Sequence, residues 1–360
     1  MVLNIAFLAL VANTLDLRHS ASLAAGALVV GGTAVTIVAS FYEHTRSVAP
    51  SSVLQTYFLG VILLDVARVR TLWLIEKSPS AAVLSLILGF ETLTFGLESL
   101  GKTAYLTVDA STEERSGLWE RALFFWLLSM LLRGYAATLS LACLPTIDSK
   151  LDSRALHGQL FSSWQQSKKP WLSKQASGTK YALLLATLSA YWVQFAAAVV
   201  PRLLWTAFKF AQPFLINTTI DWVDAGPSRS SKNTGHGLIA AYGLVYIGLA
   251  LSQALYWQHT YRFIVMVRGG LISMIFQKTT RINPTDKMRH DPMVLMGTDI
   301  EKIALSLRQV HEVWASVIEI ALALWLLQRQ MGAAFVAPAL LTLGVFLFLS
   351  TSPHCANFHD

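Results

Sequence analysis

Charged residues are scarce in this sequence, and so are cysteines. Asp, Glu, Lys and Arg make up 14% of the 360 residues, whereas soluble domains contain about 25%. Hydrophobic residues make up 54%, and the mean hydropathy is +0.50. The composition therefore excludes an ordinary soluble domain and predicts an all-α polytopic membrane protein. Cys143 and Cys355 are the two cysteines, too few for a disulfide framework or a thiolate metal site.

The net charge of +7 comes from basic residues that lie in loops between apolar runs. Eighteen of them lie in segments assigned to the cytoplasmic side: Arg46, ten in 102–180 and seven in 268–308. Five lie in segments assigned outside: Arg18, Lys77, Arg229, Lys232 and Arg329. This bias follows the positive-inside rule and indicates a multi-pass protein whose basic loops meet lipid headgroups, with no nucleic acid as partner. The first residues lack the basic region of a signal peptide.

Residues 1–101 predict an N-terminal membrane bundle. Its apolar runs cover 2–17, 21–42, 53–75 and 81–100. Each is near the ~20 residues that cross a bilayer, although the first is short. Within the third run, Asp65 and Arg68 are three residues apart, so we predict a pair on one helical face that stabilises a buried seam. A role in transport is the alternative interpretation of these charges.

Residues 102–180 predict a cytoplasmic or interfacial linker, because they hold ten Lys/Arg and six Asp/Glu. Inside it, the apolar segment 117–135 is interpreted as an interfacial or re-entrant helix, since a crossing would place basic residues outside. The apolar run from 181 to 223 is too long for one perpendicular span and predicts an interfacial elbow helix before the span. Further apolar runs at 237–257, 309–328 and 333–349 complete a predicted domain at 181–349. A polar tail follows at 350–360.

Two patterns that could bind ligands are interpreted as structural. GLESLGKT (96–103) matches the P-loop signature. However, Gly96 ends an apolar helical run where a strand is needed, and Glu98 would place a negative charge in the phosphate cradle. We therefore expect no catalytic residue, cofactor or nucleotide site in this chain. The tail residues His354, Cys355 and His359 are interpreted as solvated, so no metal site is predicted.

Ionisable and aromatic residues within the spans are the candidates for a substrate pathway. Three of them, Arg202, Trp205 and Phe208, lie with the polar Gln212 on neighbouring turns of one helical face. A fixed cation with apolar walls suits an anionic substrate. The alternative is that Arg202 extends to the cytoplasmic interface. Glu319, in the middle of a later span, is interpreted as a group that hydrogen-bonds between helices, with proton transfer as its alternative.

The basic stretch 268–308 connects two apolar runs by about forty residues, more than a simple turn requires. Asp291 is a good N-cap, and Pro292 suits the first turn of a short helix. Met293, Leu295 and Met296 offer an adaptable apolar surface to a partner. Thr298 and Asp299 form a second start signal, which predicts that a new helix begins there.

LMGTDIEKI (295–303) and HEVWASVIEIALALWLL (311–327) resemble the first transmembrane domain of ABC exporters. The likeness is to the C subfamily, the multidrug resistance-associated proteins, in its fungal form. FFWLL (124–128) and RGY (133–135) are similar to the lasso linker of that subfamily. The resemblance implies an N-terminal bundle, a lasso linker and a partial type-1 transmembrane domain. It also implies that 291–299 is a coupling helix that docks on an ATPase domain, and that Arg202 contributes to a substrate pocket.

The function implied by this resemblance is ATP-driven export of amphipathic or anionic small molecules across the plasma or vacuolar membrane. ATP and Mg²⁺ would act through a nucleotide-binding domain, and a second transmembrane half would complete the transporter. Because the resemblance stops before these parts, we expect a truncated chain. Two alternatives remain open: a membrane module that binds or regulates partners without transporting, and a non-functional truncated product.

Overall fold

The computed structural model describes residues 1–13, 20–46, 50–75, 79–99, 111–140, 144–167, 182–226, 232–281 and 291–332, with 336, 340–341 and 344–345. All regular structure in these residues is helical, which confirms the predicted all-α class. The chain forms two compact units, Met1–Asp152 and Ser153–Asp360.

The first unit begins with a bundle of four helices. They are α1 (Val2–Asn13), α2 (Ser20–Arg46), α3 (Ser52–Ile75) and α4 (Pro79–Ser99). Helix α4 packs on α3 and α1, and α1 packs on α2. Phe7, Val11, Leu84 and Ile87 form the buried core between α1 and α4. The predicted pair is present in α3, where Arg68 Nη1 lies 2.7 Å from Asp65 Oδ1.

The apolar segment of the linker forms two short helices. They are α6 (Leu118–Ala122) and α7 (Phe125–Ala136), and α5 (Thr112–Arg115) precedes them. The chain breaks between α6 and α7 because Phe124 adopts a left-handed conformation with φ of 56°. Neither helix reaches the ~20 residues that a crossing needs.

Glu114 connects α5 to a 3₁₀ turn at Ser149–Leu151. Its Oε1 accepts hydrogen bonds from the Ser149 hydroxyl at 2.5 Å and the Ser149 amide at 3.1 Å. Its Oε2 accepts from the Ser111 amide at 3.0 Å, which completes a capping box. These hydrogen bonds, that of Ser149 foremost, lower the pKa of Glu114 to about 2.

The second unit begins with α8 (Ser153–Ser167), α9 (Ala182–Ala190), α10 (Trp192–Ala197) and α11 (Val199–Asp224). It continues with α12 (Lys232–Arg281), α13 (Pro292–Val294), a π-helical turn (Leu295–Asp299) and α14 (Ile300–Met331). The chain bends by 71° between α9 and the helical segment Trp192–Asp224. The long apolar run therefore contains a bend, and an interfacial position for the helix before it stays a prediction.

Helix α8 lies inside the predicted linker 102–180, yet it packs on α9 and α12 within the second unit. Glycines allow this approach, because a Cβ at Gly269 would lie 2.8 Å from Leu156 Cδ1. Tyr191 Oη donates a hydrogen bond to the Leu156 carbonyl at 3.0 Å. The boundary between the compact units thus falls at 152/153, before the predicted domain boundary at 180/181.

Four described helices are long and apolar enough to cross a membrane: Leu23–Arg46, Pro79–Ser99, Asn233–Arg281 and Pro292–Gln330. The bent pair of Ala182–Ala190 and Trp192–Asp224 makes a fifth if it is one span. The predicted span 53–75 forms the 24-residue helix α3, which carries Asp65, Arg68 and Arg70 and is not among the four. The predicted run 2–17 gives a helix of only 12 residues.

Helices α12 and α14 account for much of the predicted basic excursion. With 50 residues, α12 is about 75 Å long, whereas a bilayer core is about 30 Å thick. It therefore continues well beyond the membrane. Arg268 Nη1 lies 3.1 Å from Glu301 Oε2, and the Arg308 guanidinium lies 5.1 Å from the centre of the Trp257 ring, so these contacts join α12 to α14.

Several predictions fall on residues outside the described ranges. They are Lys102 and Thr103 of the P-loop pattern, most of the span 333–349, and the tail with His354, Cys355 and His359. Gly96 is described and lies inside α4, consistent with the interpretation of GLESLGKT as a helix end.

Candidate functional site

The candidate site lies where α11, α12 and α14 pack against each other in the second unit. Arg202 occupies the first turn of α11, and Thr206 lies one turn further along the helix. Although its side chain is charged and long, Arg202 is only 3% exposed. A buried guanidinium is costly in a membrane unless other groups satisfy it, so its partners define the site.

Arg202 is held by two carboxylates of α14. Its Nη2 lies 3.0 Å from Glu312 Oε2, and its Nη1 lies 2.9 Å from Glu319 Oε1. Because Glu312 and Glu319 are seven residues apart, they lie two turns apart on one face of α14. Nη1 also donates to Thr206 Oγ1 at 2.9 Å. The guanidinium thus joins α11 to α14.

Aromatic rings close over the guanidinium and bring α12 into the cluster. The Arg202 guanidinium lies 4.6 Å from the centre of the Trp205 ring and 5.7 Å from that of Tyr256. These are cation–π distances. Tyr256 Oη donates to Glu312 Oε1 at 2.7 Å. One carboxylate therefore bonds to groups from both α11 and α12.

Lys209 completes the charge balance. Its Nζ lies 2.8 Å from Glu319 Oε2, and its side chain is 55% exposed. With Arg202 and Lys209 opposite Glu312 and Glu319, two positive and two negative charges meet. Each carboxylate has a cation, which is the arrangement in which charges persist inside a low-dielectric region.

Of the five predicted pathway residues, three belong to this cluster and two lie outside it. Arg202, Trp205 and Glu319 belong to it, and Arg202 is directed into the helix packing, not towards the interface. Phe208 packs against α12 at Gly248, where a Cβ would overlap its ring. Gln212 is half-buried. Glu319 hydrogen-bonds between helices, as interpreted from the sequence, and contact with a substrate stays a prediction for all five.

The sequence interpretation missed Glu312, Tyr256 and His311. The His311 ring is 2% exposed and stacks on Phe195 with 4.4 Å between ring centres. The seven-residue spacing of Glu312 and Glu319 in an apolar helix was a usable signal for two inward-facing carboxylates. Among the residues that the structure describes, no group of His, Cys, Asp and Glu could hold a metal ion.

The predicted coupling segment begins as expected. Asp291 Oδ1 accepts from the Met293 amide at 2.9 Å, and Pro292 occupies the first turn of α13. Helix α14 begins at Ile300, directly after the predicted start signal, but Asp299 has helical dihedrals and makes no side-chain capping bond. The π-helical turn instead runs directly into α14.

The apolar side chains that this segment exposes differ from the predicted Met293, Leu295 and Met296. Met293 is 74% exposed and Val294 is 50% exposed, whereas Leu295 and Met296 are half-buried. Helix α12 contacts both α13 and the π-helical turn. The side chains most available to a partner are therefore Met293 and Val294.

The helices and their apolar lengths define an all-α integral membrane protein. The chain is 34% identical over 321 residues to the ABC transporter ecdL of Aspergillus rugulosus, covering 88% of this chain and 21% of the relative. It is 34% identical over 328 residues to the ABC multidrug transporter B of Aspergillus fumigatus, covering 89% and 22%. It is 37% identical over 324 residues to the ABC-type transporter frbG of a Dothideomycetidae species, covering 88% and 21%.

These similarities support the interpretation that this chain is a membrane part of an ABC transporter. The chain spans about a fifth of the length of the curated relatives it matches. No protein-family model matches it.

Proposed function

We propose that this chain is the membrane-spanning part of an ATP-driven exporter of small amphipathic or anionic molecules, of the multidrug resistance-associated type. The observation that carries the proposal is the junction of α12 and α14. Two membrane helices continue out of the bilayer and meet an exposed, Asp291-capped apolar turn. The similarity to fungal ABC transporters across most of the chain supports the same function.

The turn would act by contact with a nucleotide-binding domain. Met293 and Val294 present apolar surface, and methionine adapts to the shape of a partner groove. Because the π-helical turn runs into α14, a push on the turn would reach Glu312 and Glu319 along one helix. This chain would bind no ATP itself. ATP and Mg²⁺ would act on that domain, and a second transmembrane half would complete the pathway.

The substrate pathway would pass along the cluster of Arg202. The cluster supplies a cation, aromatic walls from Trp205 and Tyr256, and apolar surface from Phe208 on the same face. Since its carboxylates already neutralise Arg202, an anionic substrate would bind by replacing Glu312 or Glu319. The membrane that houses the transporter would be the plasma or the vacuolar membrane.

A regulatory membrane module is the second candidate. The separate compact unit Met1–Asp152, which contains its own helical bundle, favours it. Such a module would bind partners without moving a substrate, so transport separates the two candidates.

The test is a chimera with a relative. The matched segment of the Aspergillus fumigatus ABC multidrug transporter B is replaced by this chain's, and ATP-dependent uptake of a fluorescent amphiphile is measured in inverted membrane vesicles. We expect uptake, with ATPase activity that the amphiphile stimulates. A chimera that reaches the membrane in normal amounts but shows neither uptake nor stimulation would contradict the proposal and leave the regulatory module.

A further inference from the structure

Helix α14 has an arginine beside a tryptophan ring at each end of its apolar stretch. The Arg329 guanidinium lies 5.8 Å from the centre of the Trp325 ring, and the Arg308 guanidinium lies 5.1 Å from the centre of the Trp257 ring of α12. The two arginines are 21 residues apart in one helix, which is about 31 Å and matches a hydrocarbon core of about 30 Å. Since tryptophan and the ends of long basic side chains favour the membrane interfaces, each pair marks one boundary of the bilayer.

Helix α12 places the Arg308 boundary independently. Its residues 237–256 contain no Asp, Glu, Lys or Arg, and 20 helical residues cross about 30 Å. This uncharged stretch ends at Trp257, the residue that contacts Arg308. Both spans therefore leave the hydrocarbon core at one contact. Residues 258–308 hold eight Lys/Arg and four Asp/Glu, so the boundary is the cytoplasmic one.

Two stacked rings of α12 hold Arg308 at this depth. The rings of Trp257 and Tyr261 lie 5.5 Å apart with 27° between their planes. The Arg308 guanidinium lies 5.1 Å from the centre of the first ring and 5.9 Å from that of the second. Its side chain is exposed, and in the part of the chain that the structure describes no carboxylate forms an ion pair with it. The rings attract the cation through its charge, so its N–H groups can donate to a ligand.

The ligand chemistry that fits this arginine is a lipid phosphate. The planar guanidinium donates two parallel hydrogen bonds to a phosphate group, and stacking on rings fixes its plane. Headgroup phosphates lie next to the hydrocarbon boundary, where Arg308 is placed. Residues 258–281 of α12 carry four basic residues and no acidic one. This local charge favours a headgroup with a net negative charge over zwitterionic phosphatidylcholine.

We propose that Arg308, held on Trp257 and Tyr261, binds the headgroup phosphate of an anionic phospholipid in the cytoplasmic leaflet. The lipid would lie where α12 and α14 leave the bilayer together and would contact both helices. The inference is independent of the exporter function, because it rests on the depth and charge of this contact and uses no residue of the Arg202 cluster.

The test uses the complete 360-residue chain in phosphatidylcholine nanodiscs. Two probes carry the same diazirine acyl chain, one on phosphatidylserine and one on phosphatidylcholine, and cross-linked peptides are identified by mass spectrometry. We expect the phosphatidylserine probe to label peptides of α12 and α14 near Trp257 and Arg308 at least about tenfold more than the phosphatidylcholine probe. Unlabelled phosphatidylserine should compete, and soluble glycerophosphoserine should not. Equal labelling by the two probes, or equal competition by glycerophosphoserine, would overturn the proposal.

Variants locate the site. Arg308→Gln is expected to reduce labelling by the phosphatidylserine probe at least about tenfold, and Arg308→Lys should reduce it less, because the charge remains and the planar fork is lost. Arg329→Gln is the matched control, since it removes the arginine–tryptophan pair at the opposite end of α14, and it should label like the wild type. Wild-type labelling by an Arg308→Gln protein would contradict the site. Selective labelling of the wild type that avoids α12 and α14 would contradict it even where a variant fails to fold.

Discussion

Arg202 is the residue on which the packing of three helices converges. Its guanidinium bonds to α14 through Glu312 and Glu319 and lies beside Trp205 of α11 and Tyr256 of α12. Removing one member of a buried ion pair leaves a charge without compensation, which costs about 3–5 kcal/mol. Removing an exposed partner costs about 0–1 kcal/mol.

We expect Arg202→Met to lower the thermal stability of the second unit, because two half-buried carboxylates lose their shared, buried cation. Lys209→Met is the matched control, since Lys209 contacts the same Glu319 but is 55% exposed. The measurement is thermal unfolding in detergent, followed by tryptophan fluorescence. Adding Glu319→Gln to the Arg202→Met protein should recover part of the loss. Equal effects of Arg202→Met and Lys209→Met would show that the cluster does not hold the helices together.

At the residue scale, the sequence predicts local pairs better than distant ones. Asp65 and Arg68 are three residues apart, so helical geometry alone brings them together. The face containing Arg202 and Trp205 is predicted for the same reason. The bond from Arg202 to Glu312 joins residues 110 positions apart, and the packing of three helices decides it.

Helix α8 is attached to α12 through two glycines. Leu156 lies over Gly269, and Tyr191 and Leu160 lie over Gly270, where a Cβ would come within 3.2 Å of Leu160 Cδ2 and closer still to Tyr191 Oη. Tyr191 also ends α9 at the elbow and bonds back to α8. One close approach thus fixes both the linker helix and the bend.

We expect Gly270→Ala to lower the midpoint of thermal unfolding, because the added methyl group must displace Tyr191 or Leu160. Overpacking of this kind costs about 1–3 kcal/mol. Gly243→Ala in the same helix is the control, since nothing lies within 4 Å of a Cβ there, and it should be neutral or stabilising by about 0.5–1 kcal/mol. Fluorescence-detected size-exclusion chromatography after heating measures both. A Gly270→Ala protein as stable as Gly243→Ala would mean that α8 is not held by this contact.

Elements that depend on length and composition are predictable from this sequence. A bend between α9 and α10 is consistent with an apolar run that is too long for one straight span. The π-helical turn that runs into α14 without a capping bond at Asp299 is not predictable in this way, because Thr298 and Asp299 carry the residue types of a helix start. The packing of α8 is not predictable either. Its polar sequence neighbours indicate a linker, whereas its buried Leu156 and Leu160 pack within the second unit, where α8 contacts α12.

At the scale of the whole molecule, the chain combines two compact units with different chemistry. The first surrounds a mainly apolar cavity lined by Asp65, Arg68 and Glu91, and the second contains a charge-balanced cluster within its helix packing. Composition and the positive-inside rule predict the membrane class. They do not predict the unit boundary at 152/153, because packing of α8 on α12 determines it.

The central proposal is that the turn at 291–299 contacts a nucleotide-binding domain and transmits the effect of ATP hydrolysis to α14. The direct measurement is the number of amphiphile molecules transported per ATP in vesicles containing the chimera with Met293→Asp or Leu295→Asp. Leu305→Asp is the control, because Leu305 is 58% exposed in α14 outside the turn. The account predicts normal membrane insertion with transport reduced at least about tenfold for the two turn variants and retained for the control. Transport by both turn variants at the unmodified rate would contradict it.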